Sequence, residues 1–521
     1  MKNLRKYIGV GLMSLVVLSC DDYDSLVQEE IDQNNPNETE VTAPTGDSGE
    51  LDLSTYVSLG ASITAGVMDN SIYVASQNNS FPVILAQQFK AEGVGGGDFN
   101  VPTVKSITGC QDEDEGCPEG RLLLDVAAAG LVNDAGESIG TFDGDKSTLN
   151  NYGIPGAIAL NFVQAATGGP DSDLNPLYNG FYARMASTPG VSTPIGDALA
   201  KAPTFMTLWF GGNEVLGYAT SGGTGSDLDP NGAFNASFSG IVANVIASSA
   251  AKGVVINVPS VLALPFFQAV QWNDLELDQA NADALNTGLE GYNNAVQGLV
   301  VAGLIVQQEA DARKISYSPG KNGFMIVDST LTDFGPEWDK LVLASQMTSQ
   351  ERAQLEPYRL VRHIAGVDGD ATQSETVLLT ASTIINTTPT GLPETILTGL
   401  SYPLPDSLVL TGAEKVAIET TRGAINAHIK SVVDANSDRL ILYDVETLLL
   451  GIAVAGGYDV DGITVTYDFL PTGMFSNDAI HINARGSAIL ANEIMKAMES
   501  KWNADLPKVN PLDYASSPVK L

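Results

Sequence analysis

The chain reads as an α/β protein built on a mainly parallel sheet. Three observations carry that reading. Short apolar runs, most of them rich in β-branched and aromatic residues, alternate with longer runs of helical periodicity. Three of the short runs lead into glycine-containing turns, the setting in which α/β folds place their sites. Roughly 180 residues separate the fourth and fifth short runs, far more than one crossover helix needs, so an insertion is expected there.

Strands are expected at 55–59, 149–152, 204–210, 253–258 and 439–445, most of them short and apolar as a strand buried on both faces should be, with 149–152 the least so. Between them, 80–90 is apolar at helical spacing. Thr411 with Glu414 makes a capping box for a helix reaching about Ala435, and Asn483 is an N-cap for a last helix to about Glu499. The insertion, 272–402, holds a helical run at 277–304, a strand-like 323–327, a second capping box at Thr348 and Glu351, and a Thr-rich apolar stretch at 376–388. It reads as a cap over the site or a subdomain at the sheet edge, and its apolar runs 377–379 and 396–400 are candidates for lining a groove.

Charge and cysteine usage narrow the function. With 62 acidic against 26 basic residues the net charge is −36, a surface that repels phosphate backbones, so no nucleic-acid partner is expected. An apolar fraction of 44% excludes wholesale disorder. Lys2, Arg5 and Lys6 precede an apolar run, 7–18, too short to be a stable span. The following Leu18-Ser19-Cys20 resembles the lipobox of bacterial lipoproteins. That resemblance implies a signal peptide at 1–19, lipidation at Cys20 and membrane attachment through a lipid anchor only. Residues 20–50, with ten acidic and no basic side chains from 21 onward, read as a disordered tether. Asp21, Asp22 and Asp24 resemble the surface-export signal of lipoproteins in the Bacteroidetes. The implied location is the outer membrane, facing the cell surface, with a periplasm-facing lipoprotein as the alternative.

Cys110 and Cys117 flank Gln-Asp-Glu-Asp-Glu-Gly, and in an oxidising compartment the plain reading is a local disulfide. No histidine lies near them, so no metal site is expected. Asp-Leu-Asp-Pro-Asn-Gly at 227–232 imitates the opening of a calcium loop, but Phe238 stands where the bidentate acid belongs.

Of three histidines, only His481 has an acid three residues earlier, Asp478; Leu360 and Ile425 hold that place before His363 and His428. An imidazole base with a carboxylate behind it is what a serine nucleophile requires. The serine comes from the first strand, which runs through Gly60 and Ala61 into Ser62-Ile-Thr-Ala-Gly66. The second strand leads to Tyr-Gly-Ile-Pro-Gly156 and the third to Gly211-Gly-Asn213-Glu214. The N–H groups of Ser62 and Gly156 and the Asn213 side-chain amide could together form an oxyanion hole.

Taken together, these four blocks resemble the SGNH (GDSL-type) hydrolase superfamily, over about 51–271 and 403–500. Two positions depart from its pattern: Ala61 replaces the usual aspartate before the serine, and Glu214 replaces the aspartate after the asparagine. The resemblance implies a flavodoxin-like, five-stranded sheet between helices, no cofactor, and a catalytic set of Ser62, His481 and Asp478. The implied substrate is a carboxylic ester, of a lipid or an acylated carbohydrate. The expected layout is a core at 51–271 and 403–505, divided by the insertion, with a tail at 506–521. The competing reading is a non-catalytic binding lipoprotein on the same fold.

Overall fold

Strands that bury both faces must be covered by helices on both sides, and the expected strands do this. The computed structural model describes residues 44–111, 116–127, 130–364, 375–469 and 471–520. Cys20, the signal segment and most of the tether, together with the acidic residues 112–115, lie outside these. Five strands form the sheet: β1 (Tyr56–Gly60), β2 (Asn151–Gly153), β3 (Phe205–Trp209), β4 (Lys252–Ile256) and β5 (Leu440–Tyr443). All pair in parallel, in the order β2-β1-β3-β4-β5. This is the order of flavodoxin-like doubly wound sheets, and it places a topological switch point between β1 and β3.

The principal helices are α1 (Phe81–Phe89), α2 (Phe234–Ser248), α3 (Gly412–Asp434), α4 (Val445–Ala455) and α5 (Ala484–Trp502). Their contacts fall into two groups, α1 with α5 and α2 with α3, as right-handed crossovers on either side of a switch point demand. The capping box at Thr411 and Glu414 is formed, and the Asn483 side chain accepts from the Gly486 N–H at 2.9 Å. Buried Ile489, Ile494, Met495 and Met498 on α5 seal one face of the sheet.

The insertion has a core of its own, around Tyr292, Phe324, Phe334 and Trp338. Its first helical run is two helices, Gln279–Gly288 and Glu290–Val301, divided at Leu289. The second core extends to Val409, past the expected boundary at 402, whereas Leu410 joins the sheet core. Arg313 lies at its centre, 1% exposed, over the Phe334 ring at 4.0 Å. Its guanidinium donates to the carbonyls of Val361 (2.6 Å), Thr332 (3.0 Å) and Arg359 (2.7 Å), with no carboxylate paired to it among the described residues. Burial pushes its pKa down. The cation is held by carbonyl dipoles and the Phe334 ring, with Glu309 and Asp328 adding to its charged form, so it ties its own helix to the segments at Thr332 and at Arg359–Val361.

Two boundary expectations are corrected. Residues 44–50, placed in the tether, pack on the domain: the N–H of Gly46 donates to Glu92 O, that of Asp47 to Asp505 O and that of Glu50 to Trp502 O. The expected tail is equally engaged, with Val519–Lys520 pairing in parallel with Glu119–Asp125. In both cases an edge of the fold supplies hydrogen-bond partners that composition cannot reveal. Among the described residues no helix is long and apolar enough to cross a membrane.

Replacing Arg313 with Met keeps the bulk but removes the donors to the Val361 and Thr332 carbonyls and one of the two donors to the Arg359 carbonyl, which keeps the Phe334 N–H. The expected loss is about 3 kcal/mol, read from the urea unfolding midpoint. An unchanged midpoint would show that Arg313 does not brace the insertion.

Candidate active site

Ser62 follows β1 by two residues and opens a single helical turn, Ser62–Ala65, that Gly66 ends at φ 89°. That turn lies directly against β2. A Cβ added to Gly153 would sit 2.1 Å from the Ala65 nitrogen and 2.5 Å from its Cα, so only glycine admits this approach. Asn151 fixes the contact: its Nδ2 donates to Thr64 O at 2.9 Å and its Oδ1 accepts from the Gly153 N–H at 2.8 Å. Contacts with β2 therefore set the turn.

His481 reaches Ser62 from 419 residues away, with Nε2 2.8 Å from the Ser62 Oγ. On the other side its Nδ1 is 2.8 Å from Asp478 Oδ2. The carboxylate keeps the proton on Nδ1 and leaves Nε2 to accept from the serine hydroxyl. Asp478 is itself buried. Its Oδ1 accepts from the N–H groups of Ile480 (2.9 Å) and His481 (2.8 Å), and Oδ2 accepts from Asn70 N–H at 2.7 Å. Burial alone raises the pKa of this carboxyl, but His481 and the N–H donors outweigh it and the value falls below the ordinary one.

The loop carrying this pair is clamped by Asp69 and Asn70, both at positive φ (56° and 58°). Asp69 N–H donates to Ser476 Oγ at 2.9 Å, while its carboxylate accepts from Asn477 N–H at 2.9 Å and Tyr73 O–H at 2.7 Å. Burial pushes the Asp69 pKa up to about 7, and neighbouring Asp478 adds to this. Ser476 N–H closes the loop onto His481 O at 2.7 Å. Asp69 and Asn70 were missed in the sequence because no local spacing links them to residues more than 400 positions away.

Asn213 begins the helix Asn213–Thr220 after β3, at the switch point. One of its two amide hydrogens is used by Ala157 O at 2.9 Å, and the other is left for a ligand. Gly156, exposed at φ 73°, lies one residue before that carbonyl. Glu214 is buried, and its Oε1 accepts from the Ala159 N–H at 2.7 Å. It thus joins the loop after β3 to the loop bearing Gly156. Burial, with a smaller contribution from Asp229, raises its pKa to about 7.

Residues expected elsewhere in the chemistry lie apart from this group. His363 is half-buried in the insertion, where desolvation lowers its pKa to about 4, and the His428 Nε2 is engaged by Ser239 Oγ at 2.9 Å. Cys110 and Cys117 are bonded to each other. The Asp227–Gly232 turn holds no cation-binding cluster; no group of metal-ligating side chains occurs among the described residues. The runs 377–379 and 396–400 do not line the cleft at Ser62: Val377 and Leu400 pack in the insertion core and Leu378 in the sheet core. No family model matches the chain, and neither does any curated protein or solved structure.

A Glu214 pKa raised from 4.5 to about 7 means the folded state holds a proton that the unfolded chain has released. Stability therefore falls as pH rises through that window and levels off above it, by up to about 3 kcal/mol for this group. Glu214→Gln should lose this pH dependence, matching the parent near pH 4 and exceeding it at pH 8 in urea unfolding. Equal pH profiles would contradict the assignment. Gly153→Ala should displace the Ser62 turn and cost at least about 2 kcal/mol in the same measurement, because the clash is with backbone.

Proposed function

We propose that the chain is a serine esterase of the SGNH (GDSL-type) kind, hydrolysing carboxylic esters through an acyl-enzyme. The observation that carries this reading is the unbroken line of hydrogen bonds from Ser62 through His481 to Asp478 at the carboxyl edge of a parallel sheet. Binding alone does not require a hydroxyl, an imidazole and a buried carboxylate in line, and this disfavours the non-catalytic alternative.

In the proposed reaction the Ser62 Oγ attacks the ester carbonyl carbon while its proton passes to His481 Nε2. Negative charge developing on the carbonyl oxygen is met by the N–H groups of Ser62 and Gly156 and by Asn213 Nδ2. Collapse breaks the bond to the alcohol oxygen, which takes the proton from Nε2. Water then attacks the acyl carbon, giving its proton to Nε2, and the acid leaves as that proton returns to Ser62 Oγ. Asp478 stabilises the imidazolium formed in each half and keeps Nδ1 as the protonated nitrogen. No step needs a cofactor. Anchored through Cys20, such an enzyme would work at an outer-membrane surface.

A fluorophosphonate probe tests this directly. Labelling is expected for the parent chain and is expected to vanish in Ser62→Ala and His481→Ala. Asp478→Asn should lower turnover by roughly 10⁴-fold, since the amide favours the wrong tautomer. Folded parent protein that takes no label would overturn the proposal.

A further inference from the structure

A cleft of about 930 Å³, counted with its open mouth, begins at Ser62 and His481. It crosses the carboxyl ends of β1, β3, β4 and β5 in turn. Ser62 lies after β1, Phe210 after β3, Val258 after β4 and Leu449 on α4 after β5, while Leu490 of α5 closes one side. Three strand spacings separate β1 from β5, so the cleft reaches roughly 14 Å from the nucleophile. That equals an extended hydrocarbon chain of about ten carbons.

The wall chemistry selects the occupant. Among the described residues, the side chains on the lining with a nitrogen or oxygen atom, apart from Ser62, His481 and Asn213, are Thr64 and Trp209. The Trp209 N–H is already spent on Asn257 O at 3.1 Å. Among the described residues no Asp, Glu, Lys or Arg lines the cleft, despite a chain with 62 acidic residues. Sugar hydroxyls placed there would lose water and find almost no partner, whereas methylenes would lose nothing. An acetyl group would leave most of the cleft unused.

Resting on the esterase reading, we infer that this cleft holds the acyl chain of the substrate, which is an ester of a medium-length fatty acid of about ten carbons. The apolar walls formed by Phe210, Val258, Leu449 and Leu490 carry the inference. The chain stays in place through both half-reactions while the alcohol leaves from the solvent side of His481. Acylated carbohydrate, left open by the sequence, remains a substrate only through a long acyl group.

The test uses the full-length chain and p-nitrophenyl esters of acetate, hexanoate, decanoate and hexadecanoate. kcat/KM should rise by roughly 10²-fold from acetate to decanoate and fall again at hexadecanoate. Leu449→Trp should cut the decanoate-to-acetate ratio at least tenfold, and Leu449→Ala should move the optimum to longer chains. Acetate cleaved as well as decanoate, or a ratio indifferent to position 449, would overturn the acyl cleft while leaving the esterase intact. Ethyl and decyl acetate form a control pair: a gain for decyl acetate as large as that for decanoate would put the alcohol in the cleft and equally overturn the assignment. Hydrolysis of none of these esters, together with no fluorophosphonate label, would remove the esterase reading itself.

Discussion

The site depends on keeping one buried carboxylate charged. Asp478 is only 7% exposed, and an isolated carboxylate so buried would take up a proton instead. Three backbone N–H groups and the His481 ring hold its charge. Two of those N–H groups come from the loop's own tight turn, and the third, from Asn70, arrives from the segment just after the Ser62 turn. The segment that presents the serine therefore also stabilises the acid, and neither half of the site is complete without the other. Asp69 extends the same connection by gripping Ser476 and Asn477.

The parallel sheet makes this economical. A switch point brings the loops after β1 and β3 side by side, and β2 flanks β1 on the other edge. The small contact surface of Gly153 lets the Ser62 turn lie on β2, and Glu214 ties the β3 loop to the β2 loop. Among the described residues the insertion contributes none to the cleft lining; it packs around its own core and an interior arginine.

The strands were legible because most buried parallel strands leave short β-branched and aromatic runs between longer runs of helical periodicity. The capping boxes were legible because they are local, three residues apart. Ser62, Asn213, Asp478 and His481 stood out through glycine turns and the three-residue spacing of the last pair. Asn70, Asp69 and Asn151 did not, since their role is set by contacts with segments remote in sequence or by backbone groups that any residue possesses. The cleft was misjudged for the same reason. Apolar residues at 377–379 and 396–400 look like an acyl groove in sequence, yet the walls come from Phe210, Val258, Leu449 and Leu490, whose meeting is a property of the sheet. That residues 44–50 join the domain was hidden because backbone pairing with Glu92 and Asp505 leaves no mark in composition.

The central claim is that Ser62 becomes covalently acylated during turnover. Acid quenching during the first turnover of p-nitrophenyl decanoate, followed by mass spectrometry of the digested chain, measures it most directly. The account predicts a decanoyl increment on the peptide containing Ser62, disappearing as substrate is exhausted and absent in His481→Ala. Turnover with the increment on a different residue would contradict it.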